Sequence, residues 1–297
     1  MTIQENEFPC YYIDSNDASK KAQNIYKGIT WTALSLMFLS TILVSISPTL
    51  TNQIPYFDKT NGFVLFISGS ISLCLVINKP ERGWYLGRAI AESIKTLSWR
   101  YMMHAEPFEL TDPKEDLKEF TQRIFNINKQ ANHDGFIPKP NKKHSDVITK
   151  KMMEVSSLDF EERKQYYSLN RIDDQIKWYG NKSENNGKKS RIWSYLMIGF
   201  QFIGAIYLFW FFDAIKAINL NNIMVFLATS IIGIMEMNKY KELYQSYAFT
   251  KQELNIIKAK LSVITGEEEF KQFVLEAEQA ISREHIMWLA RRGNAIQ

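Results

Sequence analysis

The four imidazoles of this chain are His104, His133, His144 and His285. None of them stands in an HExxH, an ExxH pair or beside a CxxC, the spacings that gather nitrogen and sulfur ligands round a metal ion. Glu276, Glu278, Glu284 and His285 are close enough to suggest a metal cluster, yet on a helix these fall on different faces of a segment whose other side is apolar. They read as solvated or interhelical ion-pairing groups. There is no glycine-rich phosphate loop and no nucleophile elbow. The chain supports no enzyme class, and no catalytic residue, metal or cofactor is expected.

The more informative polar atoms lie inside long uncharged stretches. Ser40, Thr41, Ser45 and Ser47 interrupt the first, Ser68, Ser70 and Ser72 the second, Gln201 the third, and Thr229, Ser230 and Glu236 the fourth. Two chemistries fit them. Small residues one turn apart, such as Ser68 with Ser72 and Thr229 with Gly233, let membrane helices approach closely. The alternative is a polar wall along a water path, for which Gln201 and Glu236 are the residues of interest because both are costly against lipid. Glu236 also has a simpler partner in Lys239 or Lys241.

These residues need elements that hold them, and the hydropathy supplies four. Residues 28–57, 60–78, 192–212 and 217–235 contain no charged side chain, and each is about the length that crosses a hydrocarbon core. The overall mean hydropathy of −0.25 hides this because the remainder is strongly charged. Two cysteines, Cys10 and Cys74, make no disulfide framework. The stretch before Gly28 shows no basic-then-apolar signal pattern, so the first span reads as a retained anchor. Lys59 and Lys216 are the sole basic residues of the two short loops between paired spans, whereas 22 lie between Lys79 and Arg191. The positive-inside rule then places the N-terminus, the middle segment and the C-terminus in the cytoplasm. Lys79, Arg82, Arg88, Lys188, Lys189 and Arg191 are placed to meet anionic headgroups. The neighbouring aromatics read as helix packing, so no nucleic acid is expected.

The expected fold class is all-α integral membrane, two transmembrane helical hairpins with a cytosolic helical stalk. The spans are expected at about 28–48, 60–78, 192–212 and 217–236. Shifting the chain along itself until Ser70 falls on Ser230 also lays Ile71, Asn78 and Lys79 on Ile231, Asn238 and Lys239, and Trp84 on Tyr244, without a gap. The chain therefore reads as a duplication, with a first unit at 1–130, a linker at 131–146 and a second unit at 147–297. Residues 11–27 are expected to form a short helix before the first span, which Pro48 closes. Asp112, Pro113 and Glu115 signal a helix running to about Lys129. Asp159 with Glu162 starts another, with Tyr166, Leu169, Ile172, Ile176 and Tyr179 on one face. A Gly, Asn and Lys rich break follows at 180–191, and Thr265 with Glu268 caps the last helix.

Four segments carry a family resemblance: ASKKAQNIYKGITWTALSLMF, RAIAESIKTLSWRYMMHAEPF, RIDDQIKWYGNKS and EEFKQFVLEAEQAISREHIMWLARR. Together they resemble the SLATT superfamily of bacterial membrane proteins, one unit in each half of the chain. The resemblance implies a pore-forming effector of conflict or antiviral defence systems, with a nucleotide second messenger or a partner sensor protein as its trigger. It carries over no active site. On this reading the chain is a bacterial inner-membrane protein that assembles as a homo-oligomer in the lipid bilayer. Arg88, Glu92, Lys95, Trp99, Arg100, Glu276, Glu284 and Trp288 set helix contacts in the stalk, and Ser40, Thr41, Ser45, Gln201, Thr229, Ser230 and Glu236 form the polar membrane wall. A membrane-anchored scaffold or sensor that recruits a soluble partner without conducting is the competing reading. A lipid-modifying enzyme is the third, and it lacks candidate catalytic groups.

Overall fold

The computed structural model describes residues 3–50, 56–108, 113–140, 145–212 and 218–293, the side chains of 47–50, 113 and 283–293 excepted. Among the described residues no strand occurs. The helices are α1 (Cys10–Leu50), α2 (Phe57–Asn78), α3 (Pro80–Met102), α4 (Pro113–His133), α5 (Lys150–Ser156), α6 (Phe160–Tyr167), α7 (Asp174–Ile206), α8 (Leu220–Asn238), α9 (Tyr240–Leu261) and α10 (Glu267–Gly293). Four helical stretches, Cys10–Ile46, Phe57–Met102, Phe160–Phe211 and Leu220–Leu261, are long and apolar enough to cross a membrane.

The chain forms two compact units, and each takes segments from both sequence halves. A polar unit comprises Met1–Gln23, Glu81–Lys182 and Ser246–Gln297, and an apolar unit comprises Asn24–Pro80 and Ser183–Gln245. All four uncharged stretches belong to the apolar unit. The polar unit has a large aromatic and aliphatic core, with Tyr12, Ile94, Trp99, Met102, Phe108, Phe120, Tyr167, Tyr179 and Phe270 all buried. Gly87 of α3 lies tight against α1 and Phe136: a Cβ there would meet Phe136 Cζ at 2.8 Å and the Ser15 carbonyl at 3.0 Å. In the apolar unit, Gly204 serves the same end, a Cβ there meeting Asn221 at 3.2 Å and Met224 at 3.3 Å. Small residues let helices approach where no hydrophobic force drives them together.

The repeat is visible in the backbone. α2 ends at Lys79 and α8 at Lys239, both left-handed with φ of 41° and 52°. Each donates its N–H one turn back, to Leu75 O at 3.0 Å and Met235 O at 2.8 Å. The preceding asparagines repeat the device: Asn78 Nδ2 donates to Cys74 O and Asn238 Nδ2 to Ile234 O. A lysine in this region costs about 1–2 kcal/mol, and finding it twice at the same register marks a designed break before α3 and α9.

Five local expectations need correction. α1 is continuous from Cys10, with no separate leading helix, and it runs through Pro48 to Leu50. Pro48 removes the backbone bond to the Val44 carbonyl, but it lies in the last turn, so only two further residues follow before the helix ends. The segment 180–191 is no break, because α7 carries through it. Its lysines and glutamates stabilise a solvated helix surface, as Glu184 with Lys188 at 2.5 Å does. α4 continues past Lys129 to His133, and its expected cap, Asp112, is outside the described residues. α10 begins at Glu267, with Phe270 N donating to Gly266 O, so Gly266 and not Thr265 occupies the capping position. The Asp159 cap is as expected, accepting from Glu162 N at 2.9 Å.

Candidate functional site

The membrane polar groups divide into two sets. Ser40 and Ser45 are buried inside the apolar unit and partnered there. Ser40 Oγ donates to Asn61 Oδ1 at 2.6 Å, joining α1 to α2, and Ser45 Oγ donates to Thr41 O at 2.7 Å. The Ser45 carbonyl also accepts from Asn219 N at 2.9 Å. Thr41 bonds back to Met37 O, and the Ser47 side chain is outside the described residues. Ser68 Oγ reaches Ala33 O at 3.1 Å, the close helix contact its size permits.

The second set faces outward. Thr229 is exposed and bonds back along α8, Ser230 is half-buried, and Glu236 is ion-paired with Lys239 at the end of its helix. Gln201 is exposed at the middle of its span and has no hydrogen-bond partner among the described residues. A bare carboxamide at that depth is costly against hydrocarbon.

The polar unit holds a buried ion pair, and of the expected stalk residues Trp99 packs against it. Arg171 holds Glu278 with two hydrogen bonds, Nε to Oε1 at 2.7 Å and Nη2 to Oε2 at 2.6 Å, and both side chains are inaccessible to water. Tyr167 OH donates to Glu278 Oε1 at 3.0 Å and Thr96 Oγ1 to Oε2 at 2.9 Å, so the carboxylate is fully engaged. The Arg171 guanidinium lies 5.8 Å from the ring centre of Trp99, which also packs edge-on against Tyr167 and against Phe8. Burial works against the Arg171 charge, but Glu278 more than offsets it and holds the guanidinium more basic than usual. Burial, with the Glu278 charge, pushes the Tyr167 hydroxyl well up.

Arg88 pairs with Glu92 at 2.5 Å on the same helix. Lys95 lies over Phe8 and Tyr12, 5.5 and 6.0 Å from their ring centres, and burial lowers its pKa despite nearby Glu92. Arg100 Nε donates to Glu106 O at 2.6 Å. Glu276 is half-exposed and reaches Lys260 at 3.7 Å. The side chains of Glu284, His285 and Trp288 are outside the described residues, though all three positions lie in α10. Among the described residues no group of His, Cys, Asp and Glu gathers as a metal site.

Helical periodicity points to Leu169 as a core residue and leaves Arg171 unremarked. Residues Ser168–Asp173 form π-helical turns, and the wider turn rotates the chain beyond it. Leu169 is consequently exposed and Arg171 enters the core.

His104, at the C-terminal edge of α3, is a second buried group with a measurable consequence. Its Nε2 lies 2.9 Å from both Ser156 O and Ser156 Oγ, and Glu267, ion-paired with Arg163, is 3.9 Å from Nδ1. Burial, reinforced by the Arg163 charge, lowers its pKa to about 4. An unfolded chain takes up that proton near pH 6.5 and the folded one only near pH 4, so stability falls as pH drops through this window. His104→Asn, which also suits the left-handed backbone there (φ 55°), is expected to flatten the slope of thermal unfolding stability between about pH 4 and pH 6.5. An unchanged slope would assign the loss to other groups.

The family model described as SMODS and SLOG-associating 2TM effector domain 3 matches residues 9–164, and that described as SMODS and SLOG-associating 2TM effector domain 1 matches residues 167–288. The chain belongs to the SLATT family. Two SLATT domains in tandem account for four membrane-length helices, and both are described as two-transmembrane effector domains. The second SLATT match begins at Tyr167, so the Arg171–Glu278 pair lies within it, while Thr96 and Trp99 come from the first. The two SLATT domains thus share one core. No curated protein and no solved structure matches the chain.

Proposed function

We propose that this tandem SLATT protein is an oligomeric pore-forming effector of a bacterial inner membrane, opened by a cytoplasmic trigger in a conflict or antiviral defence response. The observation that carries the reading is Gln201, a carboxamide exposed at the middle of an apolar span. Assembly removes it from lipid, against another copy or a water-filled path, and four spans enclose no wide pore by themselves. Both termini and the polar unit lie in the cytoplasm on this reading, where a nucleotide second messenger or a partner sensor protein supplies the trigger.

Dye leakage from liposomes and planar-bilayer current of the purified protein test it. Discrete conductance is expected, with membrane depolarisation on expression in cells. Gln201→Leu is expected to reduce the current roughly tenfold, the equivalent of an interhelical hydrogen bond of about 1–2 kcal/mol. A bilayer that stays silent with cyclic nucleotides and with lysate from signalling cells would leave the membrane-anchored scaffold instead.

A further inference from the structure

The single helical turn Glu5–Glu7 places a carboxylate among three cations. Glu5 Oε2 accepts from Lys20 Nζ at 2.9 Å and from Asn16 Nδ2 at 3.3 Å, both on α1. Lys95 and Arg88 lie close by on α3: burial works against the Glu5 charge, yet Lys20, Lys95 and Arg88 more than offset it and lower its pKa. α1 carries Tyr12, Asn16 and Lys20 at steps of four, and α3 carries Arg88, Glu92 and Lys95 at steps of four and three, so each set lines one side of its helix. All of them, with Glu5, belong to the polar unit. Asn16 is 3% exposed, so its carboxamide is a donor held in place by its surroundings.

Glu5 satisfies this cluster incompletely. Arg88 is taken by Glu92 at 2.5 Å, but Lys95 is half-buried and makes no hydrogen bond or ion pair among the described residues, its ammonium lying over the rings of Phe8 and Tyr12. Burial lowers the Lys95 pKa, with Glu92 and Asp174 acting against the shift and Arg171 and Arg88 adding to it. Without Glu5, Glu92 would be the one carboxylate ion-paired with any of Lys20, Arg88 and Lys95 among the described residues. The Lys20–Glu5 pair is open to water, its side chains 55% and 64% exposed, and an exposed pair of this kind holds weakly. The chain is anchored just beyond it, Thr149 Oγ1 donating to Glu7 O at 2.6 Å and Phe8 buried against Tyr12 and Trp99, so Glu5 can leave without unseating Phe8.

We propose that Asn16, Lys20, Arg88 and Lys95 form an anion-binding site, that Glu5 fills it as a displaceable stand-in, and that the ligand it takes is a terminal phosphate group. The Glu5 carboxylate is flat, carries one charge and reaches Lys20 and Asn16 alone. A tetrahedral phosphate dianion offers three free oxygens, enough to engage Lys20, Asn16 and Lys95 together, and its second charge answers the ammonium that Glu5 leaves without an acceptor. Arg88 stays with Glu92 and adds to the positive field.

The test is isothermal titration calorimetry of the full chain in phosphatidylcholine nanodiscs at about pH 7.5, where phosphate is mostly a dianion. Inorganic phosphate is the probe, and potassium chloride of matched ionic strength is the control. Saturable binding is expected, about tenfold tighter in Glu5→Gln because a tethered competitor is removed. It is expected to be about tenfold weaker in Lys95→Met and in Lys20→Gln, each of which removes one charge-assisted donor. Lys20 is exposed, so Lys20→Gln reports on the site even where Lys95→Met fails to fold. Saturating phosphate is also expected to speed hydrogen exchange at the Glu5–Glu7 amides of the wild type. Nanodiscs containing phosphatidic acid separate the two sources of such a group: loss of phosphate binding there assigns the site to a lipid headgroup, and unchanged binding assigns it to a soluble phosphate. No saturable binding to Glu5→Gln, or binding indifferent to both lysine variants, would overturn the site. The site does not depend on the pore: phosphate binding by a chain that never conducts sinks the pore alone, and conduction by a chain that binds no phosphate sinks the site alone.

Discussion

Glu278→Leu is expected to destabilise the protein by about 3–5 kcal/mol, because it leaves the Arg171 guanidinium charged in a core without water. The wild-type carboxylate accepts from Arg171 twice, from Tyr167 and from Thr96, and neither ionic side chain is more than 1% exposed. Arg171 Nη1 already lacks a partner among the described residues, so the guanidinium has no spare acceptor to turn to. Replacing both, as Arg171→Met with Glu278→Leu, is expected to recover most of the loss, since an apolar pair of similar volume avoids the desolvation of two charges. Thermal unfolding in detergent, followed by near-ultraviolet circular dichroism, measures both variants. Equal losses in the single and the double variant would show that shape, and not charge, matters at this point.

Trp99→Ala is the second large expected effect, about 3–5 kcal/mol from the cavity left by a fully buried indole. Three rings and a guanidinium border that cavity: Phe8, Tyr166 and Tyr167 pack on Trp99, and Arg171 lies over the indole, with Tyr12 behind Phe8. Because Trp99 and Glu278 share Arg171 and Tyr167, their losses are expected to add to less than their sum. Ala259 stands at the equivalent place in α9, where it is exposed. Ala259→Ser is expected to change stability by less than about 0.5 kcal/mol. The same unfolding experiment on both variants checks the contrast, and a large loss at Ala259 would mean that its surface is already occupied in the purified protein.

The four apolar stretches, their pairing and the repeat register were legible in the chain, because bilayer-length runs without charge and a gapless match of Asn-Lys ends are one-dimensional signals. Boundaries were less so. Pro48 and the 180–191 segment carry local breaker signals that helix continuity overrides once neighbouring turns are packed. The residues that organise the polar unit were partly visible: Trp99 stood out by type and spacing, whereas Glu278 read as one of several solvated or interhelical ion-pairing acids, with its partner unnamed. Arg171 was hidden by the π-helical turns, which change the phase of the helix between Ser168 and Asp173.

The amino-acid sequence by itself determined that this chain is helical, that it has four membrane-length segments, and that it repeats a two-span unit, since hydropathy and repeat register depend on residue order alone. Tertiary structure decided which polar groups are matched and which are left over. Whether Glu278 is solvated or locked under Arg171 and Thr96, and whether a position is covered, as Trp99 is on α3, or bare, as Ala259 is on α9, depends on partners far away in the chain, and no local pattern encodes a distant partner's position.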